Sequence, residues 1–263
     1  MKFIKGFIIN LQFFTSLPIN IVIPMDKYHL RSSIKSFPLL GLLQGGIYSL
    51  VVYTLAEWTP FSSLAVAFFL WLLTILLTGG IHLDGWIDGS DAFFSYQDRA
   101  RRLEIMKDSR TGAFGVLSVI VLLGSRFLFI YEIISSMNGL FYFLILMLPF
   151  LSKEVMGAVL LTVPAAKKEG LASFFQAAGK RRDLALYPVY FIVLIGIFMY
   201  LFVDAVLPAL ILAVVAAGSY FFIRRKSVKW FGGITGDVLG ASVEGTENIL
   251  WMTMWLLHYF VMA

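Results

Sequence analysis

The 263-residue chain contains no cysteine, only three histidines and eight prolines, and little charge, with 14% of its residues Asp, Glu, Lys or Arg. The missing cysteines exclude disulfides, thiol nucleophiles and thiolate-bound zinc or iron–sulfur centres. Scarce charge comes with abundant apolar residues, 59% of the total. Apolar runs recur along the whole chain, each near the roughly 20 residues that a bilayer crossing needs. These features predict an all-α fold, a polytopic integral membrane helical bundle forming one domain over residues 1–263.

Seven spans can be drawn, at 37–56, 62–83, 112–134, 138–163, 185–203, 205–223 and 238–262. The loops between them alternate in basic content. Lys2, Lys5, Lys27, Arg31 and Lys35 precede the first span, and Arg99, Arg101, Arg102, Lys107 and Arg110 follow the second. Lys167, Lys168, Lys180, Arg181 and Arg182 follow the fourth, and Arg224, Arg225, Lys226 and Lys229 follow the sixth. The opposite loops carry no Lys or Arg, so all basic residues except Arg126 and Lys153 fall on one side. The positive-inside rule makes that side the cytoplasm, with the N-terminus inside and the C-terminus outside. Topology thus accounts for the net charge of +5 without nucleic acid.

Arg126 and Lys153 lie inside spans. Arg126 is expected to pair with a carboxylate or face an internal cavity, and Lys153 to pair with Glu154 or snorkel. Residues 1–18 are basic at positions 2 and 5 and apolar over most of the rest, but Asn10, Gln12, Thr15 and Ser16 interrupt the run and no small-residue cleavage site follows. They are expected to form an amphipathic helix in the cytoplasmic interface.

Acidic residues are the main exception to the apolar pattern. Asp84, Asp88 and Asp91 fall at i, i+4 and i+7 in Gly79-Gly80-Ile-His-Leu-Asp-Gly-Trp-Ile-Asp-Gly-Ser-Asp91, with Asp98 and Asp108 close behind. On a helix the three share one face, a stripe that repels itself unless a cation neutralises it. Gly79-Gly80-Ile-x-x-Asp84 has the same spacing as Gly232-Gly233-Ile-x-x-Asp237, and each Asp has a carboxylate seven residues on, Asp91 and Glu244. The elements 79–112 and 231–247 both lie at the cytoplasmic ends of spans, where they are expected to meet.

Clustered carboxylates on a membrane border suit phosphoryl transfer, because magnesium or manganese binds through a few carboxylates plus substrate phosphates. Asp84, Asp88, Asp91, Asp237 and Glu244 are the candidate ligands. Asp84, Asp88, Asp91, Asp108 and His82 are the candidate catalytic groups, although a lone histidine serves equally as a hydrogen-bonded structural residue. Arg99, Arg102, Lys107 and Arg110 are candidate phosphate clamps beside the acids, or ordinary positive-inside residues. Gly232 and Gly233 are candidate substrate contacts, and the helix start at Ser109–Gly115 offers amide donors for phosphate.

These motifs together resemble the cobalamin-5′-phosphate synthase family, also called adenosylcobinamide-GDP ribazoletransferases. The resemblance rests on Gly79–Gly85 with Asp88 and Asp91, on Glu104–Gly112 with Gly115, and on Gly232–Ala241 with Glu244; Phe14–Pro18 and Phe37–Gly41 also fit. The matches are collinear over essentially the whole chain. Ala92 stands where the family usually has Gly, and Lys153 where it usually has Arg.

The resemblance implies a magnesium-dependent transferase of the bacterial cell membrane. It would join adenosylcobinamide-GDP to the 5′-oxygen of α-ribazole or of its 5′-phosphate, giving adenosylcobalamin or its 5′-phosphate and releasing GMP. Its partners would be those small molecules and the bilayer. A CDP-alcohol phosphotransferase is a second reading, but that pattern wants an Ala-Arg pair between its second and third acids, which does not follow Asp88 here. A cation-coupled transporter is a third, disfavoured because the acids gather at one membrane face rather than at the midplane.

Overall fold

A computed structural model describes residues 2–136 and 138–260, all helix and loop, with one isolated bridge between Ala165 and Ile234 and no strand among the described residues. The chain begins with α1 (Lys2–Phe14) and α2 (Lys27–Lys35), which pack side by side. Asn10 on the buried face of α1 donates to the Ser33 carbonyl and to Ser36 Oγ, so its amide is satisfied rather than stranded. The expected N-terminal helix is therefore present and ends at Phe14.

Five helical stretches are long and apolar enough to cross a membrane. They are α3 (Phe37–Trp58), α7 (Ala113–Ser135), α8 (Gly139–Thr162), α10 (Leu186–Leu201) with a preceding 3-10 turn, and α11 (Val206–Phe231) with its own 3-10 turn. Central α8 is buried almost throughout and packs on α3, α11 and α12 (Gly236–Phe260). Small residues let helices approach in the absence of a hydrophobic drive between them. Gly41 and Gly45 of α3 accordingly lie against the backbone of Pro149 and Leu146 of α8.

The seven-span reading needs two corrections. The span expected at 62–83 is not one helix: α4 (Ser63–Thr78) stops at Gly79, and α5 (Ile81–Phe94) leaves at 86° to it. The cause is local, because Gly79 (φ 63°) and Gly80 (φ 75°) both adopt the left-handed conformation, which glycine takes without a steric penalty. The span expected at 238–262 falls on α12, whose 25 residues are long enough, but which carries Asp237, Glu244 and Glu247 and is not among the apolar five. Residues 261–263 lie outside the described part. By length and composition the count is five, or six if α4 and α5 form one broken span.

Short contacts gather the basic loops at one end of the bundle. Ser16 donates from its amide to the Leu77 carbonyl and from Oγ to the Leu76 carbonyl, tying the end of α1 to last-turn carbonyls of α4. The Ala166 amide donates to the Ile234 carbonyl and the Ile234 amide to the Pro164 carbonyl, joining the exit of α8 to the entry of α12. The basic stretch 167–183, read from sequence as a polar loop, folds as α9 (Leu171–Ala178) and a 3-10 turn. Asp183 in that turn is buried and holds Arg31 through three nitrogen–oxygen contacts of 2.6–2.9 Å.

Candidate active site

The acidic stripe is on a helix, as its spacing predicts, and α5 packs more extensively on α12 than on any other element. Gly85 makes the approach possible: a Cβ there would stand 2.6 Å from the Asp237 carbonyl oxygen. The first turn of α5, bearing Asp84, thereby meets the first turn of α12, bearing Asp237. Each turn follows a glycine pair that redirects the chain. Gly232 ends α11 at φ 79°, and Gly233 lies against the Pro164 carbonyl. Gly232 and Gly233 thus have turn and close-packing reasons for being glycine, apart from any substrate contact.

Asp84 and Asp88 make no side-chain hydrogen bond and no ion pair with the described residues. Asp237 has, among the described residues, only Thr235, whose hydroxyl donates to its Oδ2 at 3.2 Å. Burial, then Asp84, Asp237 and Asp91, push the Asp88 carboxyl up to about 6. α5 is not one of the five helices that are long and apolar enough alone to cross a membrane, and its acids repel one another.

Asp91 departs from its neighbours. Its Oδ2 accepts from the Gly112 amide and its Oδ1 from the Gly115 amide, each at 2.7 Å. It therefore caps the N-terminus of α7, neutralising the amide donors that the sequence offered to phosphate. Glu244 is also elsewhere. Seven residues along α12 carry it roughly 10 Å from Asp237, and it meets Arg126 Nη2 at 2.6 Å inside the bundle, both side chains being nearly inaccessible. Arg126 thus has the carboxylate partner expected of it. Glu247, one turn on, accepts from Ser152 Oγ at 2.7 Å.

Lys153 does not pair with Glu154. Its Nζ is 3.1 Å from His82 Nε2, and both side chains are buried. Sequence reasoning singled out each residue but had no signal for their contact, because they lie 71 positions apart and no periodicity links them. His82 also stacks on Phe14, with ring centroids 5.8 Å apart.

The candidate phosphate clamps divide. Arg99 Nε donates to the Lys229 carbonyl, and Arg102 donates weakly to the Trp230 carbonyl while lying over the Phe93 ring. Both carried by α6 (Arg99–Ile105), they satisfy the C-terminal carbonyls of α11. Arg110 is exposed and paired in a fork with Asp108, and its side-chain and backbone hydrogen bonds hold the Asp108 carboxyl down to about 2. Lys107 makes no side-chain hydrogen bond with the described residues. Lys167, which sequence reading counted only toward topology, donates to the Leu103 carbonyl and lies in the field of Asp237, held below its usual value by burial and by Lys107.

Two cavities flank α5. One of about 300 Å³ has Asp84 and Asp237 in its wall, together with His82 and residues of α1, α3, α8 and α9. The other, about 870 Å³, lies against the opposite face of α5, where Trp86, Gly89 and Phe93 join α7, α11 and α12.

Among the described residues no three His, Asp or Glu side chains stand close enough for a protein-only metal shell. Magnesium seldom needs one, since it keeps waters and binds through one or two carboxylates plus substrate phosphates. The unpaired carboxylates of Asp84 and Asp88 beside Asp237 fit that mode.

Comparison with known proteins agrees with this picture. A family profile described as cobalamin-5-phosphate synthase matches residues 6–255. An adenosylcobinamide-GDP ribazoletransferase of Geobacillus sp. (strain WCH70) is 40% identical over 259 residues, covering 98% of each chain. One of Acinetobacter baumannii (strain ACICU) is 33% identical over 257 residues, covering 97% of this chain and 98% of the other. No solved structure matches the chain.

Proposed function

The chain belongs to the cobalamin-5-phosphate synthase family, and on that premise we propose that it is a membrane transferase joining adenosylcobinamide-GDP to α-ribazole or its 5′-phosphate, with release of GMP. The observation that carries this reading is the meeting of Asp84 and Asp88 with Asp237, from two distant elements, at the end of the bundle where the basic loops gather. A pyrophosphate needs a cation there, and phosphate-facing cations need these acids. The basic loops, by the positive-inside rule, support a cytoplasmic placement of this end.

Asp84 and Asp237 would hold magnesium, or manganese in its place. When bound, the ion would neutralise the pyrophosphate and the departing GMP. The chain's own groups orient and exclude. Asp88, without a partner among the described residues and next to these acids, is placed to accept the proton of the attacking hydroxyl. Asp91 serves as a positioning residue, since both its oxygens are engaged by α7 amides, and it gives up the base role that the acidic stripe alone suggested. Lys167, in the field of Asp237, and Lys107 beside it are placed to meet the phosphates; Arg110 must first leave Asp108.

The chemistry also corrects the attacking atom. In the phosphorylated acceptor the 5′-oxygen is already esterified and its phosphate persists in the product, so another ribose hydroxyl must attack. Its oxygen bonds to the corrinoid-linked phosphorus, and the phosphorus–oxygen bond to GMP breaks.

The test is GMP and corrinoid product formation by the full chain in liposomes, with magnesium or with chelator. Magnesium-dependent turnover that Asp84→Asn and Asp237→Asn each cut about 10³-fold in folded protein supports the reading. Folded wild type that produces no GMP with magnesium overturns it.

A further inference from the structure

The 300 Å³ cavity beside the acids has a wall that the phosphate chemistry does not explain. Phe13 and Phe14 of α1, Phe37 of α3 and Phe175 of α9 line it, packed edge-on or tilted with centroids 5.6–6.4 Å apart. Aromatic walls of this kind accept the faces of a flat ring system. The volume lies at the lower end of the roughly 300–1,000 Å³ seen for small-ligand cavities, which admits a bicyclic base but not a corrin macrocycle.

His82 is the informative polar group in this wall. It is buried, and Lys153 Nζ stands 3.1 Å from its Nε2. With Lys153 as an ammonium, which has donors and no acceptor, Nε2 accepts and the ring proton sits on Nδ1. Nδ1 makes no hydrogen bond among the described residues. The cavity therefore offers phenylalanine faces, one free N–H donor and two carboxylates, Asp84 and Asp237.

We propose that this cavity seats the benzimidazole-type base of the nucleoside acceptor, its unsubstituted ring nitrogen accepting from His82 Nδ1 and its ribose left at the mouth beside Asp84 and Asp237. The proposal rests on the transferase reading above. A purine such as the guanine of the donor carries more donors and acceptors than the phenylalanine wall and one imidazole can meet, so this wall favours the simpler bicycle. An apolar bicycle with a single acceptor leaves none. Seating the base first fixes the ribose over the acids, which is the orienting role that binding energy serves in transfer reactions. It also gives α9 and the end of α1 a function as the walls of an acceptor site.

The experiment uses the full chain in liposomes with magnesium and three acceptors: the ribosides of dimethylbenzimidazole, benzimidazole and indole, the last lacking the ring acceptor. Wild type is expected to show an acceptor KM about tenfold higher for indole than for benzimidazole, the size of one lost hydrogen bond. His82→Phe should erase that difference. Ala172→Leu, which fills the α9 side of the cavity, should raise KM for the dimethyl base about tenfold while leaving the donor KM within about twofold. Unchanged base preference in an active Ala172→Leu, or a shift confined to the donor KM, overturns the proposal. An azido-benzimidazole riboside on wild type covers the case in which a variant fails to fold. Labelling of α1 or α9 peptides supports the site, and labelling of α7 or α11 beside the larger cavity refutes it. Wild type that labels at α1 or α9 but makes no product would count against the transferase reading alone.

Discussion

The elements 79–91 and 232–244 begin alike and end differently. In each, a glycine pair turns the chain and puts an aspartate on the first turn of the next helix, and Gly85 brings the two first turns into contact. Seven residues on, the likeness fails. Asp91 has turned toward α7 and caps its amides, whereas Glu244 lies inside the bundle on Arg126. The reason is the direction of the helices, since α5 runs at 86° to α4 while α12 runs into the bundle. Equal spacing fixes a face of a helix, and only the helix axis decides what that face meets.

The comparison predicts that the first acids are equivalent in function. Asp84→Asn and Asp237→Asn should each reduce turnover by about 10³-fold, the scale seen for loss of a group that stabilises developing charge, while purified protein stays monodisperse. Retention of activity in one of the two would break the pairing. The second acids should behave as structural anchors with unequal weight. Arg126→Ala, leaving Glu244 buried and unpaired, should cost about 3 kcal/mol in thermal or denaturant unfolding, and replacing both partners by Met should recover most of it. Asp91→Asn keeps one acceptor for the α7 amides and should cost only about 1 kcal/mol in the same assay.

Between these stands the contact itself. Gly85→Ala drives a Cβ into the Asp237 carbonyl, and the separation of the two turns should lower kcat about 100-fold, as misplacement by roughly 1 Å does, with KM little changed. A kcat close to wild type would show that the acids need not be held together.

The smallest effect is in pH. The folded Asp88 carboxyl, raised to about 6 by burial and then by its acidic neighbours, lies above its ordinary value near 3.8. The folded state therefore binds more protons than the unfolded state between those values, and metal-free protein should lose stability as pH rises from about 4 to about 6. Magnesium competes with that proton, so its affinity should rise over the same interval. Calorimetry with and without magnesium measures both trends, and a metal-free Tm that climbs with pH would remove Asp88 from the repelling cluster.

Much of this was legible in the chain. The apolar runs, the basic loops and the helical phase of Asp84, Asp88 and Asp91 all follow from local pattern, because hydropathy and a 3.6-residue period need no knowledge of neighbours. The glycine pairs were visible too, but not that two successive left-handed residues would turn a 62–83 span through a right angle. The partner of Lys153 was not legible, because His82 is 71 residues away and no periodicity links them. Nor was α9, whose eight residues form a helix against α2 and α8 and complete an aromatic cavity.

The sequence by itself determined a helical membrane protein of this family, with two acidic elements at its basic end, since those properties are carried by composition, period and motif. Tertiary structure alone decided which acids stay free and which become caps or buried pairs. A carboxylate's role is set by the charges and donors within a few ångströms, and those arrive from other helices.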